Sequence, residues 1–203
     1  MKETGIIMSG NHPKLILDKL KTMTRRTYGL EKVNDMPYLW EKPFYSEEYQ
    51  RWGFWQKNTG DVIYLKCPYG QVGDRLWVRE TFCEPTTGRI IYKVDETPYE
   101  ISSDGSGLYS YHTWKPSIHM PRWASRIILE ITEIRVERVQ EIELVDVEDE
   151  GIIIPNELLA LPDHKGKYLA ILQLFIDLWD SLNAKRGLGW DFNPWVWPIS
   201  FKV

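Results

Sequence analysis

Residues 74–82 (DRLWVRETF) constrain this chain more than any other stretch. They follow a Gly73-Asp74 turn and alternate with period two. An extended strand therefore puts Leu76, Val78, Glu80 and Phe82 on one face and Trp77, Arg79 and Thr81 on the other. Three large apolar residues mark the first face as inward, which plants the Glu80 carboxylate in the core. An ionised carboxylate there is costly unless a cation or several donors meet it. The cluster Lys21, Thr24, Arg25 and Arg26 in KLKTMTRR is the partner expected for Glu80. Two readings stay open: an ion pair that only fixes the fold, and a catalytic pair.

With 203 residues the chain can bury one sizeable core. No apolar run is long enough to span a membrane, and the N-terminus lacks a signal pattern. Cys67 and Cys83 have no histidines at metal-ligand spacing, so they read as reduced thiols of a cytoplasmic protein, with no metal or cofactor expected. A net charge of -4 argues against coating nucleic acid by bulk charge, yet leaves room for a local basic pocket. Ten tryptophans, several beside arginines, suit stacking on flat ligands such as bases.

Along the chain, 5–9 reads as a first strand. Asn11 and Pro13 open a helix that runs to about residue 21. Residues 22–27 read as a loop at its end, and 28–60 as a long aromatic and charged excursion. Strands are expected at 61–66 and 90–94, and a polar tract at 96–110. Two prolines keep 114–126 (WKPSIHMPRWASR) out of regular helix and central strand. The 127–139 strand switches parity after Ile131, which predicts a bulge near Thr132 or Glu133. A short acidic helix at 144–150 stops at Gly151, and its Glu148, Asp149 and Glu150 read as a solvated face. Residues 152–165 read as a loop. Tyr168, Ile171, Leu172, Phe175, Trp179 and Leu182 give 167–184 helical spacing. Residues 195–203 form a closing strand in which Pro198 suggests an edge or bulge and Trp195 and Trp197 pack the barrel. The expected architecture is α+β: a small mixed, partly open β-barrel with peripheral helices. It forms one domain over 1–203, with insertions near 28–60, 96–113 and 140–190.

KLKTMTRR resembles the G-x-K-x-x-T-x-R signature of the ASCH domain family, a branch of the PUA-like β-barrels. Lys21, Thr24 and Arg26 match the signature, while Lys19 stands where the family usually carries glycine. GIIMSG, CPYGQVGDRLWVRETF, WKPSIHMPRWASR, LWDSLN and NPWVWPISF resemble stretches of the longer phage and prophage members. Small bacterial members similar in the Lys-Thr signature are amidohydrolases that deacetylate N4-acetylcytidine. The resemblance places their catalytic lysine, threonine and glutamate at Lys21, Thr24 and Glu80. Other members resemble RNA-binding modules, and one branch is credited with ribonuclease activity.

The residues fit that chemistry on their own terms. Thr24 is a weak nucleophile until a base takes its proton. Lys21, three positions earlier, lies one helical turn away and becomes a base if apolar surroundings depress its pKa. Glu80 can hold Lys21 in register or protonate a departing amine. Arg26 and Arg79 can hold an oxyanion or a sugar-phosphate group, and Trp77, Trp114 or Trp123 can stack on a base. Arg25, Arg26, Trp77, Arg79, Trp114, Ser117, His119 and Arg122 form the expected substrate-binding set. Each has a plainer role as well. Thr24 can cap a helix end, Arg25 and Arg26 can form a solvated turn, and His119 can be a hydrogen-bonded structural group. The leading reading is a hydrolase of a modified cytosine nucleoside or base. The second is a single-stranded RNA-binding module without turnover, and the third a ribonuclease. No membrane or obligate protein partner is indicated.

Overall fold

The computed structural model describes residues 1–8, 10–84, 90–95 and 113–203. In chain order the elements are β1 (Glu3–Ile7), α1 (His12–Leu17), β2 (Met23–Arg26), α2 (Glu31–Asn34), β3 (Phe44–Ser46), β4 (Arg51–Trp55), β5 (Val62–Leu65), β6 (Arg75–Arg79), β7 (Phe82–Cys83), β8 (Ile91–Tyr92), β9 (Ile128–Ile134), β10 (Glu137–Arg138), α3 (Leu144–Asp149), α4 (Asn156–Leu159), α5 (His164–Asn183) and β11 (Trp195–Lys202).

The fold is α+β and is built on a mixed sheet. β1 runs parallel to β6, β6 antiparallel to β9, and β9 antiparallel to β11. β11 carries β2 on its other edge and pairs with β10 beyond the end of β9. The path β1-β6-β9-β11-β2 leaves β1 and β2 as its edges, and the Arg26 Nη2 donates to the Ile7 carbonyl across them at 2.8 Å. The sheet is therefore a curled, partly open barrel. β3, β4 and β5 form a separate antiparallel sheet within and just after the 28–60 excursion.

β11 is central because its sequence is apolar on both faces. Trp195, Trp197, Ile199 and Phe201 join Ile6, Leu76, Val78, Leu129 and Ile131 in the main core. Val196 instead meets Val139, Ile171, Phe175 and Trp179 in a second cluster beneath α5. Full burial of a side chain such as Phe175 stabilises by about 1.5–3 kcal/mol. On the inward face of β6 and its continuation into β7, Leu76, Val78, Glu80 and Phe82 are all buried, as the alternation predicts, and Trp77 on the opposite face is buried as well.

The bulge lies where the parity switch put it. Ser200 faces Glu133 and Phe201 faces Ile131, so Thr132 is the extra residue. Gly151 ends α3 at φ +84. Other expectations are corrected. Residues 22–27 are not a loop: Met23–Arg26 form β2, because β11 offers a free ladder edge and buried carboxylates receive Arg25. The first helix stops at Leu17 rather than near 21. Lys19 turns into the left-handed region (φ 59), and Leu20 N–H closes on the Leu15 carbonyl at 2.8 Å. Lys19 thus adopts a conformation that glycine takes freely and other residues take at a cost of about 1 kcal/mol.

Pro198 lies in a central strand, not at an edge. Its carbonyl accepts from Arg135 N–H at 3.0 Å, and Arg135 occupies the break between β9 and β10. Its missing N–H therefore falls where the ladder is already interrupted. The 152–165 loop contains α4, and the 90–94 strand shortens to β8 followed by a 3-10 turn, Lys93–Asp95. The polar tract 96–110, nearly all of the 96–113 insertion, and Ser9 of the first expected strand lie outside the described residues. Among the described residues no helix is long and apolar enough to cross a membrane.

Candidate active site

The basic cluster of KLKTMTRR does not reach Glu80. Arg126 does, through a two-pronged contact: Nε donates to Oε1 at 3.0 Å and Nη2 to Oε2 at 2.8 Å. Arg126 also pairs with Asp95 and lies 3.9 Å from the centre of the Tyr92 ring. The expected Lys21–Glu80 pair is thus replaced by Arg126–Glu80, a cation supplied from the proline-rich 114–126 segment.

Lys21 meets Glu150 instead. Its Nζ lies 2.8 Å from Glu150 Oε2 and 2.6 Å from the Glu150 carbonyl, with the lysine side chain fully buried. α3 delivers Glu150 there because its C-terminal end is strapped to the start of β2. Thr22 N–H donates to the Asp149 carbonyl at 2.9 Å, and Thr22 Oγ1 to Asp149 Oδ1 at 2.6 Å. Gly151 completes the fit, since a Cβ on it would stand 2.9 Å from Lys21 Cβ. Glu150 is therefore buried, not part of a solvated acidic face, and so is Asp146.

Arg25 sits between three carboxylates. Its Nη2 is 2.8 Å from Glu137 and 2.5 Å from Asp146, and its Nη1 is 3.4 Å from Glu150. Arg135 adds contacts to Asp146 at 3.0 Å and Glu137 at 3.7 Å. Burial pulls the Lys21 amine below its ordinary pKa, against the attraction of Glu150. Burial pushes Glu150 up, but Lys21 and Arg25 outweigh it and hold the carboxyl below its usual range. His12, half-buried and beside Lys21, is pulled down to about 4, first by desolvation and then by the lysine charge, and is neutral near pH 7.

Thr24, Arg25, Arg26 and Glu150 line one cavity of about 240 Å³ with His12, Thr27, Tyr28, Tyr69, Phe175, Trp179, Asn183 and Arg186. Among the described residues the Thr24 hydroxyl has no hydrogen-bonding partner. The cavity thus joins a hydroxyl and the carboxylate that holds a depressed lysine, beside cationic and aromatic groups. Lys21 and Thr24 are not one helical turn apart, since Thr24 lies in β2; α3 supplies the group that ties the lysine to this cavity.

The other residues expected at the site lie elsewhere. Arg79 covers the Trp77 ring at 4.5 Å and donates to the Ile118 carbonyl. Lys93 lies 6.0 Å over Trp114. Ser117 and His119 bound a 3-10 turn, with Ser117 half-buried and His119 exposed. Arg122 is exposed and pairs with Glu3, and Trp123 is exposed. None of them lines the Thr24 cavity. Glu150 had a sequence signal: it lies three positions after Val147 on a helix whose Val147 is fully buried. Among the described residues, no group of three or more His, Cys, Asp or Glu is placed to hold a metal ion.

No family model and no curated protein matches the chain. Among solved structures it is similar to the crystal structure of an ASCH domain from Lactobacillus crispatus JV V101. That likeness has 12% identity and a TM-score of 0.41, over 100% of this chain and 79% of that one.

Proposed function

We propose that the chain is an ASCH-type amidohydrolase acting on an N4-acylated cytosine nucleoside such as N4-acetylcytidine. Thr24 is the nucleophile and Lys21 the base, and Glu150 takes the role that the sequence resemblance placed at Glu80. The observation that carries this reading is the buried Lys21–Glu150 contact at the edge of the cavity that Thr24 lines. Burial lowers the Lys21 pKa and so eases release of the proton that the amine carries in the resting ion pair, while Glu150 fixes its direction. Lys21 takes the Thr24 proton as Oγ1 bonds to the acyl carbon. The carbon–nitrogen bond then breaks, and the lysine returns the proton to the departing exocyclic nitrogen of cytidine. Water enters by the reverse sequence and releases the acid from Thr24.

The cavity volume supports a small ligand over a polymer. At about 240 Å³ it falls below the 300 Å³ or so at which typical ligand pockets begin. Incubation of the purified chain with N4-acetylcytidine, followed by chromatography of cytidine and acetate, tests the reading. Equal release of both products is expected, with none from Thr24→Ala. An inert wild-type chain across a panel of N4-acylated cytidines would overturn it.

A further inference from the structure

The cations and carboxylates around the cavity do not cancel. Lys21, Arg25 and Arg135 face Glu150, Glu137 and Asp146, three charges against three. Arg26 is left over. It forms no ion pair with a carboxylate among the described residues. Its Nη2 is satisfied by the Ile7 carbonyl at 2.8 Å and the Met8 sulfur at 3.2 Å, but its Nε is shut from solvent without a partner. Arg26 as a whole is half-buried, and a guanidinium whose inner donor is cut off from water without a partner is stabilised when an anion meets it. Arg186, at the end of α5, lines the same cavity, and it too has no carboxylate partner among the described residues. Its one contact is with Asn183 Oδ1 at 3.4 Å. Tyr69 lies within the field of both arginines, and Tyr28 meets it edge to face at 6.5 Å.

We infer that Arg26 and Arg186 form an anion subsite beside the Tyr28–Tyr69 pair, so that the cavity takes a pyrimidine nucleoside monophosphate rather than the free nucleoside. The inference deepens the reading of this cavity as a cytosine site and rests on it. Guanidinium groups grip phosphate with charge-assisted, paired hydrogen bonds, and aromatic rings that line the same cavity are the groups on which a base stacks. The Glu150 charge does not repel the phosphate, because Lys21 and Arg25 already engage both its oxygens. A mononucleotide is preferred over a polynucleotide because the volume admits one small ligand.

Calorimetric titration with CMP, cytidine and inorganic phosphate tests this independently of turnover. CMP should bind about ten- to a hundredfold tighter than cytidine, the gain that charged hydrogen bonds give. The advantage should shrink in Arg186→Gln, whose exposed side chain leaves the fold intact, and vanish in Arg26→Gln. Cytidine affinity should stay unchanged in both, which also reports that the variants are folded. Equal affinity for CMP and cytidine, no binding of either, or an advantage that survives both substitutions would overturn the inference. So would oligocytidylate affinity that climbs with chain length. A CMP preference in a chain that leaves N4-acetylcytidine untouched removes the hydrolase reading alone. Turnover without a CMP preference removes the anion subsite alone.

Discussion

Glu150→Gln removes one charge from a pair whose lysine side chain is 0% exposed and whose glutamate side chain is 7% exposed. Losing one partner of such a pair costs about 3–5 kcal/mol, because the other charge stays buried. Two features keep this case near 3 kcal/mol. Glutamine still offers an acceptor, and the Glu150 carbonyl still receives Lys21 Nζ at 2.6 Å. In a chain of this size about 1 kcal/mol moves Tm by about 2–4 °C, so a fall of about 6–12 °C is expected. A double-mutant cycle with Lys21→Met sharpens the test. Urea unfolding of the four proteins should show coupling of about 1–3 kcal/mol between positions 21 and 150. The parallel cycle with Lys21→Met and Glu80→Gln should be additive within about 0.5 kcal/mol, because Glu80 is held by Arg126. Coupling to Glu80 and additivity at Glu150 would refute the pairing on which the site is built.

Further outcomes follow from the same geometry. Lys19→Gly relieves the φ of 59 and should raise stability by about 1 kcal/mol or somewhat less, read as a higher urea midpoint. Gly151→Ala combines a left-handed backbone (φ +84) with a Cβ 2.9 Å from Lys21. It should cost about 1–3 kcal/mol and displace the lysine, so activity should drop even where the protein is fully folded. His12 titrates near 4 in the fold against 6.5 in a free side chain. A depressed folded value means that the unfolded chain binds the proton first. Its contribution is complete above pH 6.5 and is lost as pH falls toward 4. His12→Gln should flatten the urea midpoint across that window.

Much of this architecture was legible in the sequence, and the failures share a cause. Alternation placed Leu76, Val78, Glu80 and Phe82 inward, the parity switch after Ile131 located the extra Thr132, and Gly151 stopped α3. These are local signals, set by period and backbone freedom. Met23–Arg26 escaped because threonines and arginines carry no apolar rhythm. Their burial depends on carboxylates from β10 and α3, more than a hundred residues away. Glu80 was correctly read as buried and in need of a cation, but sequence cannot rank distant cations, and Arg126 reached it first. Glu150 hid in an acidic run, although its spacing from Val147 carried the same message that the apolar neighbours of Glu80 did.

The most direct measurement is the turnover of N4-acetylcytidine by four proteins side by side: wild type, Thr24→Ala, Glu150→Gln and Glu80→Gln, each at a temperature where circular dichroism shows it folded. Loss of kcat by at least about a hundredfold is predicted for Thr24→Ala and Glu150→Gln, with Glu80→Gln close to wild type. Loss in Glu80→Gln with Glu150→Gln unaffected would contradict the account.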